Sequence, residues 1–269
     1  MKIKVTDDID LRKIAYSGQC FRWKELEDDR FLIVAFGTYV IASQTGDEIC
    51  LESEYDIDEQ LWVEYFDLRR NYSEIVDNID REDTFLYNAG QYGRGVRILH
   101  QDPFETLISF IISQRKSIPA IKTSIEKICA ACGRELGVVE GEKVYAFPTP
   151  LELYSVPIEK LEDCSLGYRL PYVMEAARHF YQEPDLLDRM NEMSDEELKE
   201  MLLEFYGVGD KVASCTMLFG FARLNTFPID VWIRRALDQK YINGFPFSRY
   251  EPYNGIMQQF IFEYYRGKK

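Results

Sequence analysis

No run of this sequence is apolar for long enough to cross a bilayer, its six cysteines form no framework, and positive charge is in deficit. Each lack removes a class of function. The opening MKIKVTDDID has no apolar centre of the kind a signal peptide carries, so the expectation is a cytoplasmic protein with no membrane segment. Cysteines at 20, 50, 129, 132, 164 and 215 are scattered, which argues against structural disulfides in a reducing compartment. The single CxxC, Cys129 and Cys132, has no second pair and no neighbouring histidine, and reads as two small thiols on a helix. The two histidines, His100 and His179, have no partner at ligand spacing and read as surface or capping residues; no metal or organic cofactor is expected. A net charge of −14 speaks against nonspecific adhesion to nucleic acid. Counted by segment, Lys and Arg number 12 against 21 Asp and Glu in residues 1–100, 11 against 20 in 101–204, and 9 against 5 in 205–269. The only positive surplus therefore sits in the last segment.

What is present is a globular composition, 46% hydrophobic over 269 residues, enough for one large domain or two to three small ones. In residues 1–98, FRWKEL, FLIVAF, TYVIAS and EICLES are short β-rich runs separated by turn residues, which predicts an antiparallel sheet of hairpins. LWVEYFDLRR and TFLYNAG read as helices packed on one face of that sheet. From Asp102 and Pro103 onward the pattern is helical, beginning with a helix apolar nearly all round through Phe104, Leu107, Ile108, Ile111 and Ile112.

The densest signal lies in residues 194–230. Ser194 and Glu197 form a capping box that opens an amphipathic helix with Leu198, Met201, Leu202 and Phe205 on one side. Gly207 and Gly209 bracket Val208 in a tight turn, and a second helix starts at once with Asp210 and Lys211. Backbone donors at the turn and a helix N-terminus suit a phosphate without a strongly basic surface. The first-turn position of Lys211 disfavours an ammonium and should lower the amine's pKa, making it a nucleophile. Asp230, before the helical run VWIRRAL, can cap that helix and still offer a carboxylate. An amine and an acid are the pair needed to attack a sugar C1′ while stabilising an oxocarbenium-like transition state. On these residues alone, a solvated Lys211 and a plain N-cap at Asp230 remain open.

The segment GVGDKVASC…FPIDVW resembles the helix-hairpin-helix DNA glycosylases, in the branch having both the lysine and the aspartate. SGQCFRW, residues 17–23, resembles the N-terminal signature of the 8-oxoguanine DNA glycosylases, as does GVRILHQDPFETLISFIISQ. The resemblance spans residues 17–262. It implies an α+β fold: an N-terminal antiparallel layer over residues 1–98, then two all-α subdomains over 99–269, with the hairpin at 205–211 and the cleft between the subdomains. It implies a DNA glycosylase with lyase activity on duplex DNA containing 8-oxoguanine, in which Lys211 attacks and Asp230 stabilises charge. The carbonyl of Gly18 would accept from N7–H of the damaged base, where guanine has an acceptor instead. Gln258 would read the base edge, with Phe262 stacking on one side and Cys215 forming the opposing wall. Tyr168 would be the wedge and Arg169 the contact to the orphaned cytosine, both exposed. Gly207 and Gly209 would meet a phosphate. Without the resemblance, residues 17–19 are a turn, Tyr168 packs under a helix, Phe262 is core and Gln258 is surface.

Departures matter too. Arg115 stands where the relatives' leading asparagine falls, Ala120 where their arginine falls, and Trp232 replaces a histidine, which leaves that phosphate contact in doubt. Discrimination for cytosine opposite the lesion is therefore expected to be relaxed. No cysteine follows Cys215, so no iron–sulfur cluster is expected, and the chain is expected to act as a monomer. The rivals are a monofunctional alkylated-base glycosylase, which lacks the lysine, and a catalytically silent DNA-binding module.

Overall fold

The computed structural model describes residues 1–267. Five antiparallel strands form the N-terminal sheet: β1 (Lys2–Lys4), β2 (Trp23–Glu25), β3 (Phe31–Ala35), β4 (Thr38–Thr45) and β5 (Glu48–Glu52). Their spatial order is β1-β5-β4-β3-β2, so the first strand pairs with the last. The four β-rich runs of the sequence are β2 to β5; β1 was not anticipated and forms because Ile3 buries against Ile49 across the pair. One face of the sheet packs Trp23, Ile33, Val40 and Leu51 with Trp62, Tyr65 and Phe66 from and just after the helix Glu59–Tyr65.

Two expectations need correction. The helix Thr84–Gly93 does not pack on the sheet; its buried Leu86 and Ala89 belong to the helical core, together with Phe260 of the last helix, Asn254–Gly267. Nor is everything after residue 102 helical. Strands β6 (Glu135–Val139) and β7 (Glu142–Tyr145) form a hairpin whose Leu136, Val139 and Val144 cover Leu32, Val34 and Tyr39 on the other side of the sheet. The alternation in ELGVVEGEKVY around Glu140 and Gly141 carried that signal. The sheet is thus covered on both faces, which accounts for β3 being buried along its whole length.

The helical core is built around Pro103–Ser113. Asp102 caps its N-terminus by accepting from Glu105 N at 2.8 Å, and eight of its residues are buried. The capping box at Ser194 is complete in both directions and starts Asp195–Glu204, which ends at Phe205, short of Gly207. Such a cap contributes about 1 kcal/mol. Asp210–Phe219 follows after the turn, then Val231–Lys240. Among the described residues, no helix is long and apolar enough to cross a membrane.

Candidate active site

A cleft of about 1020 Å³ opens where the Pro103–Ser113, Asp210–Phe219, Val231–Lys240 and Asn254–Gly267 helices meet the loop after Tyr16. It is lined by Lys211 and Asp230, and by Gly18 and Phe262, residues far apart in the chain. The amine of Lys211 donates to Ser113 Oγ at 3.1 Å and lies 4.6 Å from the centroid of the Phe110 ring. Ser113 Oγ donates in turn to Phe110 O at 2.7 Å, which leaves its lone pairs to Lys211. An amine over a ring face and against a hydroxyl has a defined resting position.

Asp230 caps Val231–Lys240 with one oxygen only. Its Oδ1 accepts from Trp232 N at 2.9 Å and Ile233 N at 2.8 Å, and among the described residues Oδ2 accepts no hydrogen bond. Capping and an available carboxylate oxygen therefore coexist.

The hairpin has the geometry its glycines require. Gly207 sits at φ +81°, and a Cβ there would come within 2.3 Å of the Tyr172 ring. Gly209 is the N-cap of Asp210–Phe219, with no side-chain hydrogen bond capping that helix. First-turn amide N–H groups are thus left to an external partner. Gln114 Nε2 donates to Gly207 O at 3.1 Å, tying the turn to the end of Pro103–Ser113.

Opposite, Gly18 adopts φ +79°, and an added Cβ would meet the Phe262 ring at 3.3 Å. Phe262 lies beneath the Arg266 guanidinium, 5.1 Å from ring centroid to Cζ. Cys215 and Gln258 are buried behind the open lining. Burial holds the Cys215 thiol above its ordinary pKa, with the Lys211 ammonium pulling the other way. Gln258 donates from Nε2 to Pro228 O at 3.1 Å, beside Asp230, while its Oε1 is buried without a partner.

Tyr168 is half exposed on the turn Gly167–Arg169, as a wedge requires. Arg169 is not exposed. Its guanidinium donates to Gln114 O from Nε at 2.8 Å and from Nη2, and to Leu166 O from Nη1 at 3.1 Å, while stacking 4.4 Å from the centroid of Tyr168. The carbonyls of Gln114 and Leu166 draw the planar donor fork inward, so Arg169 is 6% exposed and packs against Tyr168 instead of extending into solvent. Arg115 does face the cleft, exposed and at φ +53°, and Trp232 lines it with Arg235 at 5.5 Å from its ring. Residues not singled out from sequence are Phe110, Ser113, Arg234 and Arg235. The last two lie in the positively charged C-terminal segment, which was the available signal; nothing local marks the first two. Among the described residues, no group of three His, Cys, Asp or Glu side chains could hold a metal ion.

Comparison with known proteins agrees with this architecture. Residues 2–107 match the family model for the 8-oxoguanine DNA glycosylase N-terminal domain, and residues 108–244 match the HhH-GPD superfamily of base excision DNA repair proteins. The chain belongs to the 8-oxoguanine DNA glycosylase family. A probable N-glycosylase/DNA lyase of Methanothermobacter thermautotrophicus is 32% identical over 88% of this chain and 84% of its own length. The N-glycosylase/DNA lyase of Saccharomyces cerevisiae is 27% identical over 86% and 68%. Among solved structures, MBOgg1 in complex with a low-affinity DNA ligand superposes with TM-score 0.93 at 34% identity, covering 99% of this chain and 95% of that one. The Clostridium acetobutylicum 8-oxoguanine glycosylase/lyase, bound to duplex DNA with cytosine opposite 8-oxoguanine, gives TM-score 0.89 at 33% identity over 100% and 98%. This glycosylase is accordingly a base-excision repair enzyme of the glycosylase/lyase type.

Proposed function

We propose that the enzyme excises 8-oxoguanine through a covalent intermediate on Lys211. The nucleotide is extruded into the cleft, and Tyr168 occupies the space it leaves in the duplex. The Lys211 nitrogen forms a bond to C1′ as the N-glycosidic bond breaks, and the departing base takes up the proton that the attacking amine gives up. Asp230, through its unengaged Oδ2, stabilises positive charge developing on the sugar. Loss of the ring oxygen from C1′ leaves a Schiff base, whose α-proton is acidic enough for β-elimination of the 3′ phosphate. The observation that carries this reading is that Lys211 and Asp230 line one cleft with Gly18 and Phe262.

Base identity is read by the Gly18 carbonyl, which accepts from N7–H of 8-oxoguanine and meets only a lone pair on guanine. Phe262 stacks on the base, and Gln258, with its unpartnered Oε1, offers an acceptor to the base edge once the pocket is occupied. Backbone N–H groups at Gly207 and Gly209 bind a phosphate, and Arg115, Arg234 and Arg235 add charge at the rim. Few phosphates are neutralised, so the dependence of affinity on salt is shallow; a slope equivalent to about ten released counterions contradicts it. Ala120 is exposed and its methyl group carries no donor or acceptor for an opposing base, which supports relaxed opposite-base preference. Excision rates opposite all four bases test this, and strictness equal to that of an enzyme holding cytosine removes it.

The decisive experiment is borohydride trapping of a protein–DNA adduct on 8-oxoguanine duplex, expected for the native chain and absent in Lys211→Gln. Base release without any adduct would instead favour a monofunctional enzyme that uses water. The presence of Lys211 in the cleft speaks against that alternative, which lacks the lysine.

A further inference from the structure

The loop that carries Gly18 is held through carbonyl oxygens on either side of that residue. Tyr16 O accepts from Arg266 Nη2, Ser17 O from Gln259 Nε2 at 2.8 Å, and Gln19 O from Gln101 Nε2 at 2.9 Å. Between them Gly18 O accepts from no donor among the described residues. The Gln19 side chain anchors the same loop in the scaffold: Nε2 donates to Arg97 O at 2.8 Å and to Ser17 Oγ at 2.9 Å, and Oε1 accepts from Leu99 N at 2.8 Å. Arg97 is itself fully buried and donates to Asp8 O, Asp67 O, Arg70 O and Asp7 Oδ2. Ser17, Gln19 and Gln259 are at most 2% exposed. A buried network with its members satisfied is rigid, because any rotation strands a polar group away from water.

Rigidity matters at this residue more than at most. Glycine rotates freely, and a carbonyl that can swing away from guanine N7 avoids the lone-pair contact on which discrimination depends. We infer that Gln259 and Gln101 are positioning residues for base recognition, fixing the direction of the Gly18 carbonyl from its two flanks. Gln259 is next to Gln258 and one turn before Phe262 on the last helix, so the element that walls the pocket also clamps the reading loop. This inference rests on the reading that Gly18 O meets the purine N7.

The test separates base recognition from sugar chemistry. Gln259→Met keeps length and volume but deletes the donor, and Gln101→Met does the same on the other flank. Three rates are measured for the native chain and both variants: release of 8-oxoguanine, release of unmodified guanine, and strand cleavage at a preformed abasic site, which offers no base to Gly18. The preference for 8-oxoguanine over guanine is expected to fall about tenfold in each variant, with abasic-site cleavage changed less than about twofold. Borohydride trapping at the abasic site reports that the variant is folded. Equal losses on all substrates, or an unchanged preference in the folded variants, overturns the inference. If the native chain itself shows no preference for 8-oxoguanine, the Gly18 reading falls and takes the positioning role with it; a native preference that survives both substitutions sinks the positioning role alone.

Discussion

The two walls of the cleft are built in different ways. The wall proposed for chemistry is the more local: Lys211 and Asp230 stand nineteen positions apart at the starts of consecutive helices, with Ser113 and Phe110 as the more distant supports of Lys211. The wall proposed for base reading is assembled from distant pieces, with Gly18 on a loop of the N-terminal layer whose Ser17 carbonyl accepts from Gln259, 242 positions later. A local wall tolerates change elsewhere in the molecule. A wall made of long-range hydrogen bonds fails when any of its buried anchors is lost, because the remaining partners are left unsatisfied. The comparison therefore predicts that damage to the first wall stops chemistry on every substrate, while damage to the second costs selectivity first.

The largest effect is expected from Asp230→Asn. Asparagine caps a helix as well as aspartate does, so the fold is retained, while 8-oxoguanine release in a single turnover falls about 10²- to 10³-fold with loss of the charge. Comparable activity would show that Asp230 serves only as a cap. Gly207→Ala comes next. It places a methyl group within 2.3 Å of Tyr172 at a φ of +81°, and the left-handed conformation alone costs about 1–2 kcal/mol. The midpoint of thermal unfolding should fall by at least about 2–4 °C, together with duplex affinity at fixed salt. Gly18→Ala strains the reading wall at φ +79° and presses on Phe262, so base release should fall about tenfold while abasic-site cleavage persists. Parallel loss of both activities would erase the distinction between the walls.

The smallest effect concerns Glu105 in the first turn of Pro103–Ser113, the helix that carries Phe110 and Ser113. Burial pushes its carboxyl from the ordinary 4.5 up to about 8, against the pull of Arg22. Between those values the native state holds a proton that the unfolded chain has released, so this group's contribution to stability is complete below about 4.5 and is lost as pH rises through about 8. Glu105→Gln removes that dependence. Its thermal midpoint relative to the native chain should rise between pH 5 and pH 9, with scanning calorimetry at both values as the check.

Features encoded within a few neighbouring residues were legible before any coordinates. The Ser194–Glu197 box, the turn at Gly207, the Asp230 cap and the strands β2 to β5 each follow from side chains acting on backbone groups two to four positions away or from a two-residue alternation. The helix Thr84–Gly93 was recognisable as a helix, but not its partner. An apolar stripe states that a face will be buried and not against what, and here Phe260 claimed it ahead of the sheet. Arg169 misled for a related reason. The resemblance implied an exposed contact to the orphaned cytosine, whereas the carbonyls of Gln114 and Leu166, brought close only by folding, hold its guanidinium inward.

The amino-acid sequence by itself singled out Lys211 and Asp230 and determined the hairpin, the layered α+β organisation and the family, because each is written in short-range pattern or in a motif that survives divergence. Tertiary structure alone decided that Gly18 and Phe262 line one cleft with Lys211, that Gln258 and Cys215 are buried, and that the Gly18 carbonyl accepts no hydrogen bond among the described residues. Those outcomes depend on which donors reach which acceptors once the chain has closed. Hydrogen bonds spanning up to 250 positions leave no periodic trace in the sequence that makes them.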